Sequence, residues 1–237
     1  MKRKGLHPLF FRGIAHRGLH DEQIAENSLI AFQKAIEQGM AIEFDLHLTK
    51  DNQLVVFHDF SLLRMTGKEG EIERLTKEEL ERDYALIDGQ KIPSFQEVLD
   101  LVQEQVPMVI ELKARTNNVL QIASALKKAL KQVKDPSKYC IISFDPRALL
   151  PIHSFHRSLL ICKERLDILS FRFLFESLDV EACLLSDPRV QKYRNGHYLN
   201  CWTIRSEEEL QKALPLSDMI TFEHLPPNVV QNALSDR

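Results

Sequence analysis

No stretch of this chain approaches the ~18 consecutive apolar residues that a membrane-spanning helix needs. The basic start MKRK is followed by LFF at positions 9 to 11, far too short for the apolar core of a secretory leader, and no small-residue cleavage site comes after it. Charges of one sign never form a long block, and the net charge is only −3, so the electrostatic footprint of a nucleic-acid binder is missing. Cysteine is scarce. Cys140, Cys162, Cys183 and Cys201 include no C-x-x-C pair, and each sits in a short apolar run where a reduced thiol serves as a small core hydrophobe. A disulfide or zinc framework is not expected, and a reducing cytoplasm is the expected home.

What is there is alternation. Short apolar runs recur at 13–17, 41–48, 54–58, 107–113, 139–144, 159–162, 182–186, 199–203 and 218–222, separated mostly by longer amphipathic stretches. The stretch SLIAFQKAIEQ stops at Gly39, a helix-ending residue. Ser94 with Glu97 and Ser206 with Glu209 have capping-box spacing. Asp145 before Pro146 reads as the start of another helix. Nine strands are one too many for an eightfold barrel. Only TKDNQ separates the second run from the third, whereas a parallel crossover needs about a dozen residues. Residues 41–58 are therefore expected to form an antiparallel hairpin, with 46–91 an insertion. Eight parallel strands then remain, each but the last followed by helix-like sequence. A single (β/α)8 barrel domain is expected, since such barrels run to about 200–250 residues and carry function at the C-terminal strand ends. The rival, a doubly wound sheet, lacks a G-x-G-x-x-G after its first strand.

Side chains alternate faces along a strand. In AIEFDLHL, Ile42, Phe44, Leu46 and Leu48 share one face, while Glu43, Asp45 and His47 share the other. Two acids pointing into a barrel are costly singly and repel each other, and a divalent cation removes both costs. The same alternation in PMVIELK groups Val109, Glu111 and Lys113. Three carboxylates from neighbouring strands form the oxygen-rich site that Ca2+ or Mg2+ prefers. His47 is expected at the exposed tip of the hairpin. His16 and His58 close two apolar runs, and two imidazoles can divide acid and base work between them. Arg17 offers a fork of donors suited to phosphate oxygens, and Lys113 a point charge. Trp202 is either an apolar surface for a ligand to pack on or an ordinary core aromatic.

These motifs resemble the glycerophosphodiester phosphodiesterase family: H-R-G at 16–18, E-N-S at 26–28, I-E-F-D at 42–45, V-F-H-D at 56–59, R-M-T-G at 64–67, K-I-P-S-F at 91–95 and I-E-L-K at 110–113. I-S-F-D at 142–145 and C-W-T at 201–203 extend the likeness. The resemblance implies a barrel with an insertion after its second strand and a divalent metal held by Glu43, Asp45 and Glu111. It further implies an acid–base pair, His16 and His58, and phosphate contacts from Arg17 and Lys113. The implied substrate is a small glycerophosphodiester, such as a deacylated phospholipid, cleaved to glycerol 3-phosphate and an alcohol. Three departures stand out. Ala25 replaces a usual proline, Arg205 follows W-T-I where an asparagine is usual, and the last strand runs into F-E-H-L-P rather than T-D-x-P. Two other readings share the same residues: a phospholipase D-like enzyme acting on intact lipids, and a non-catalytic barrel that binds a phosphorylated ligand.

Overall fold

A computed structural model of the chain describes residues 5–115 and 117–235. The basic start MKRK lies outside the described residues. The strands are β1 (Ile14–Ala15), β2 (Ala41–Leu48), β3 (Leu54–Val56), β4 (Met108–Leu112), β5 (Tyr139–Ser143), β6 (His156–Ile161), β7 (Ser177–Glu181), β8 (Tyr198–Ile204) and β9 (Met219–Phe222). Eight of them pair in parallel, and β1 closes the ring by pairing with both β2 and β9. This is a closed (β/α)8 barrel. β3 stands outside the ring, antiparallel to β2 with Leu46 opposite Val56 and Leu48 opposite Leu54, as the five-residue polar turn requires.

The helices are α1 (Leu29–Glu37), α2 (Leu63–Thr66), α3 (Lys77–Asp83), α4 (Phe95–Val102), α5 (Val119–Ala129), α6 (Pro146–Leu149), α7 (Pro188–Arg194), α8 (Glu207–Ala213) and α9 (Pro227–Ser235). Their boundaries follow local chemistry. Ser28 caps α1, and Gly39 just beyond it takes a left-handed φ of 60°. Ser94 and Glu97 form a reciprocal capping box on α4. The expected box on α8 is half made. Ser206 accepts from the Glu209 N–H, but the Glu209 carboxylate takes the Arg205 N–H instead.

Ile42, Phe44, Leu46 and Leu48 face outward into the core between strands and helices, where Phe44 lies 5.5 Å from Phe32 and 6.0 Å from Phe95 between ring centres. A smaller apolar set, including Phe10, Ile14, Val109, Ile142 and Leu160, fills part of the barrel interior. The stretch between β2 and β4 has its own apolar nucleus of Phe57, Leu62, Met65, Ile72, Leu80 and Leu86.

Several expectations need correction. The strand expected at 182–186 lies five residues earlier, at Ser177–Glu181, and Ala182–Leu184 is a short 3-10 turn. The apolar run misled because the inward face of β7 is polar: Ser177 and Asp179 are buried, and Asp179 accepts from Asn200, which also donates to Thr221. Cys183 is consequently exposed and Cys162 half-buried, whereas Cys140 and Cys201 are core thiols as expected. After β6, moreover, the chain crosses in 3-10 turns (Lys163–Leu174) with a break at Arg165 rather than in an α-helix. The last strand, by contrast, is followed by α9.

Candidate active site

The register of β2 on β4 sets Asp45 opposite Glu111 and Glu43 opposite Val109. One oxygen from each of Glu43, Asp45 and Glu111 falls within 4.8 Å of the others. All three acids are buried. Lys113 Nζ bridges two of them, 2.9 Å from Asp45 Oδ1 and 2.8 Å from Glu111 Oε1. Asp45 Oδ2 accepts from Asn27 Nδ2 at 2.8 Å and lies 3.5 Å from Arg17 Nε.

The HRG turn places the remaining groups. Arg17 takes a left-handed φ of 54° and Gly18 one of 81°, backbone states that cost non-glycine residues free energy and recur at functional sites. The turn sends the Arg17 N–H to Glu43 Oε2 at 3.1 Å. A Cβ on Gly18 would meet Ala31 backbone atoms at 2.8 Å, so the first turn of α1 packs against that position. His16 Nε2 lies 3.9 Å from Glu43 Oε2, while Nδ1 is 2.6 Å from Glu223 Oε2. Across the mouth, His58 Nδ1 is 2.6 Å from Asp59 Oδ1, and Asp59 Oδ2 accepts from Arg64. Arg64 in turn binds Glu26, whose Oε1 also accepts from Arg17. A chain of charged contacts thus links one histidine to the arginine beside the other.

Seven of the eight residues singled out in the sequence line one cavity of about 150 Å3: His16, Arg17, Glu43, His58, Glu111, Lys113 and Trp202. Asp45 sits behind Lys113. Trp202 faces Phe144 edge-on, 5.9 Å between ring centres, at the wall of this cavity. A larger cleft of about 890 Å3 shares Glu111, Lys113 and Phe144 with it. His47 corrects its expectation. It is fully buried, with Nε2 3.1 Å from the His58 carbonyl and its ring edge-on to Phe60; the hairpin tip is Lys50–Asn52, starting three residues further on.

Electrostatics follow from burial. Burial, reinforced by the charges of Asp45 and Glu111, holds Glu43 well above the usual carboxylate range. Burial also lifts Glu111 to about 7, against the pull of Lys113. Burial opposes the charge of Asp45 too, but Lys113 and Arg17 offset it and keep this acid well below the usual range. Lys113 is held charged by Asp45 and Glu111 despite its burial. Burial lowers His16 to about 4, and lowers His58 as well. Fully ionised, the three carboxylates would outnumber the two fixed cations, Arg17 and Lys113, by one negative charge, which is why burial favours the protonated forms of Glu43 and Glu111. The donor set, all carboxylate oxygen and buried, fits a hard divalent cation.

Comparison with known proteins agrees with this geometry. A model of the glycerophosphoryl diester phosphodiesterase family matches residues 16–217. The chain belongs to that family. A glycerophosphodiester phosphodiesterase of Caldanaerobacter subterraneus subsp. tengcongensis is 30% identical over 232 residues, 85% of this chain and 88% of that one. A rat lysophospholipase D is 34% identical over 134 residues, 51% of this chain and 42% of its own length. The crystal structure of a glycerophosphodiester phosphodiesterase from Parabacteroides distasonis superposes with a TM-score of 0.79 at 28% identity, covering 95% of this chain and 97% of that one. As a glycerophosphodiester phosphodiesterase, this chain is a phosphoric diester hydrolase. Sequence reading gave no role to Asn27, Glu26, Asp59 and Arg64, although they lie inside the family-like motifs. It noted the F-E-H-L-P segment only as a departure and missed the contact of Glu223 with His16, because 207 positions separate the two and only barrel closure brings them together.

Proposed function

We propose that this phosphodiesterase is a divalent-metal-dependent enzyme that hydrolyses glycerophosphodiesters to glycerol 3-phosphate and an alcohol, using His16 and His58 as its acid–base pair. The observation that carries the reading is the shared cavity: two imidazoles, two fixed cations and two of the three clustered carboxylates line one space of about 150 Å3, with Asp45 directly behind. Glu43, Asp45 and Glu111 would hold the cation. When bound, Ca2+ or Mg2+ supplies Lewis-acid charge to phosphate oxygens.

The chain's own groups do the rest. Arg17 and Lys113 hold the phosphate and offset the negative charge that grows on it in the transition state. His16, neutral at pH 7 because burial lowers it to about 4, takes the proton of the attacking oxygen, either water or the glycerol 2-hydroxyl. His58 acts as the acid in its doubly protonated form: Asp59 on its Nδ1 stabilises that charge, and the Nε2 proton passes to the departing alcohol oxygen, to be replaced from solvent. The 46–91 stretch acts as the insertion that carries His58, Asp59 and Arg64 to the barrel mouth. Trp202 and Phe144 form the apolar wall for the glycerol carbons. The substrate is a small molecule met in a reducing cytoplasm; among the described residues no helix is long and apolar enough to cross a membrane.

The deciding experiment is a panel of deacylated glycerophosphodiesters (choline, ethanolamine and glycerol headgroups) beside lysophosphatidylcholine, assayed before and after EDTA and after Ca2+ or Mg2+ is restored. Turnover of the deacylated diesters, lost with EDTA and regained with metal, is expected. Undiminished turnover in EDTA, or turnover of the acylated lipid alone, overturns the reading.

A further inference from the structure

We propose that Glu223, clamped by Arg205, is the positioning residue of His16: it holds the imidazole with its proton on Nδ1 and turns Nε2 to the reacting oxygen. The inference rests on the reading of His16 as an acid–base group. Glu223 Oε2 lies 2.6 Å from His16 Nδ1, and its other oxygen, Oε1, accepts from Arg205 Nε. His20 Nε2 at 3.7 Å and His224 Nε2 at 3.8 Å also face this carboxylate. A carboxylate surrounded by an arginine and three imidazoles is ionised and can only accept, so Nδ1 must be the donor. Nε2 is then left unprotonated on the side of Glu43 and the cavity.

The arrangement repeats around the other histidine. His58 Nδ1 meets Asp59, and Asp59 meets Arg64. Each imidazole therefore carries a carboxylate on Nδ1, and each carboxylate carries an arginine. For His58 the partner is its sequence neighbour; for His16 both partners come from the ends of β8 and β9. Two departures from the family pattern meet here. The residue after W-T-I is Arg205, the segment after the last strand supplies Glu223, and the two are paired. The family match ends at residue 217, before Glu223.

Kinetics and ring spectroscopy of Glu223→Gln, Glu223→Ala and Arg205→Asn test this. Losing a group that orients a site residue typically costs about 10–100-fold, and a mispositioned catalytic imidazole up to about 10⁴-fold. We expect kcat to fall about 100-fold in Glu223→Ala with KM within about threefold, and about three- to tenfold in Arg205→Asn. Long-range 15N–1H correlation spectra, with the His16 ring assigned through His16→Gln, should show an Nδ1–H tautomer that is lost in Glu223→Ala. A Glu223→Ala enzyme with kcat within about threefold of wild type, while His16→Ala is inactive, overturns the proposal and leaves the acid–base reading standing. An Nε2–H ring in the wild type overturns it too, whatever the variants do to folding. Full turnover by His16→Ala removes the acid–base reading itself, and the positioning role falls with it.

Discussion

The protonation of Glu111 offers a direct physical test of the carboxylate cluster. Burial lifts this group from its ordinary 4.5 to about 7, which corresponds to about 3 kcal/mol of disfavour for its charged form at about 1.4 kcal/mol per pH unit. In the metal-free protein Glu111 is thus mostly protonated on the acid side of pH 7 and mostly ionised on the alkaline side. A metal ligand must be ionised, so binding expels that proton, and the raised Glu43 adds to the count in the same direction. The sign follows: the free protein holds more protons than the bound form, so affinity strengthens as pH rises, with the Glu111 share of that dependence fading above about 7. Titration calorimetry with Mg2+ or Ca2+ near pH 6, in two buffers of different ionisation enthalpy, should reveal about one or more protons released per ion. Apparent affinity should weaken at least about tenfold per pH unit below 7. Glu111→Gln should reduce the proton count by about one. Measurable binding with identical heats in both buffers, and affinity independent of pH, would refute the argument from burial.

Other consequences are simpler. His58→Ala should lower kcat by about 10²–10⁴-fold while the far-UV spectrum and melting temperature stay close to wild type, because the ring is about a third exposed; near-normal turnover removes its role. Gly18→Ala forces a Cβ to 2.8 Å from the Ala31 backbone at a φ of 81°. It should destabilise by more than the ~1 kcal/mol that a strain-free glycine-to-alanine change gains and displace Arg17, seen as a lower melting temperature together with a raised KM. Ser94→Ala removes the α4 cap and should cost about 1 kcal/mol, about 2–4 °C in melting temperature for a chain of this size, with kcat unchanged.

The barrel was legible because its outer face is apolar and its connections are long. Ile42, Phe44, Leu46 and Leu48 alternate with acids in a way that only a strand with one inward polar face explains, and TKDNQ is too short for anything but a hairpin. The same logic failed at β7, where Ser177 and Asp179 line the interior and the following ACLLS carries the stronger apolar signal. It failed again at His47, which the hairpin appeared to leave exposed but which Phe60, wrapped back over it, buries.

Within the site, alternation along β2 and β4 determined that Glu43, Asp45, Glu111 and Lys113 face inward, because side-chain direction is a local property of the strand. His16, His58 and Arg17 stood out by their places at the ends of apolar runs, and the motif resemblance added their roles. What tertiary structure decided is which charges meet. Lys113 between Asp45 and Glu111, the run from His58 through Asp59, Arg64 and Glu26 to Arg17, and Glu223 on His16 all depend on strand register and on the closure of β9 against β1. Those contacts join residues up to 207 positions apart. Coulombic and hydrogen-bond energies vary with distance in space, and separation along the chain carries no information about that distance until the ring is closed.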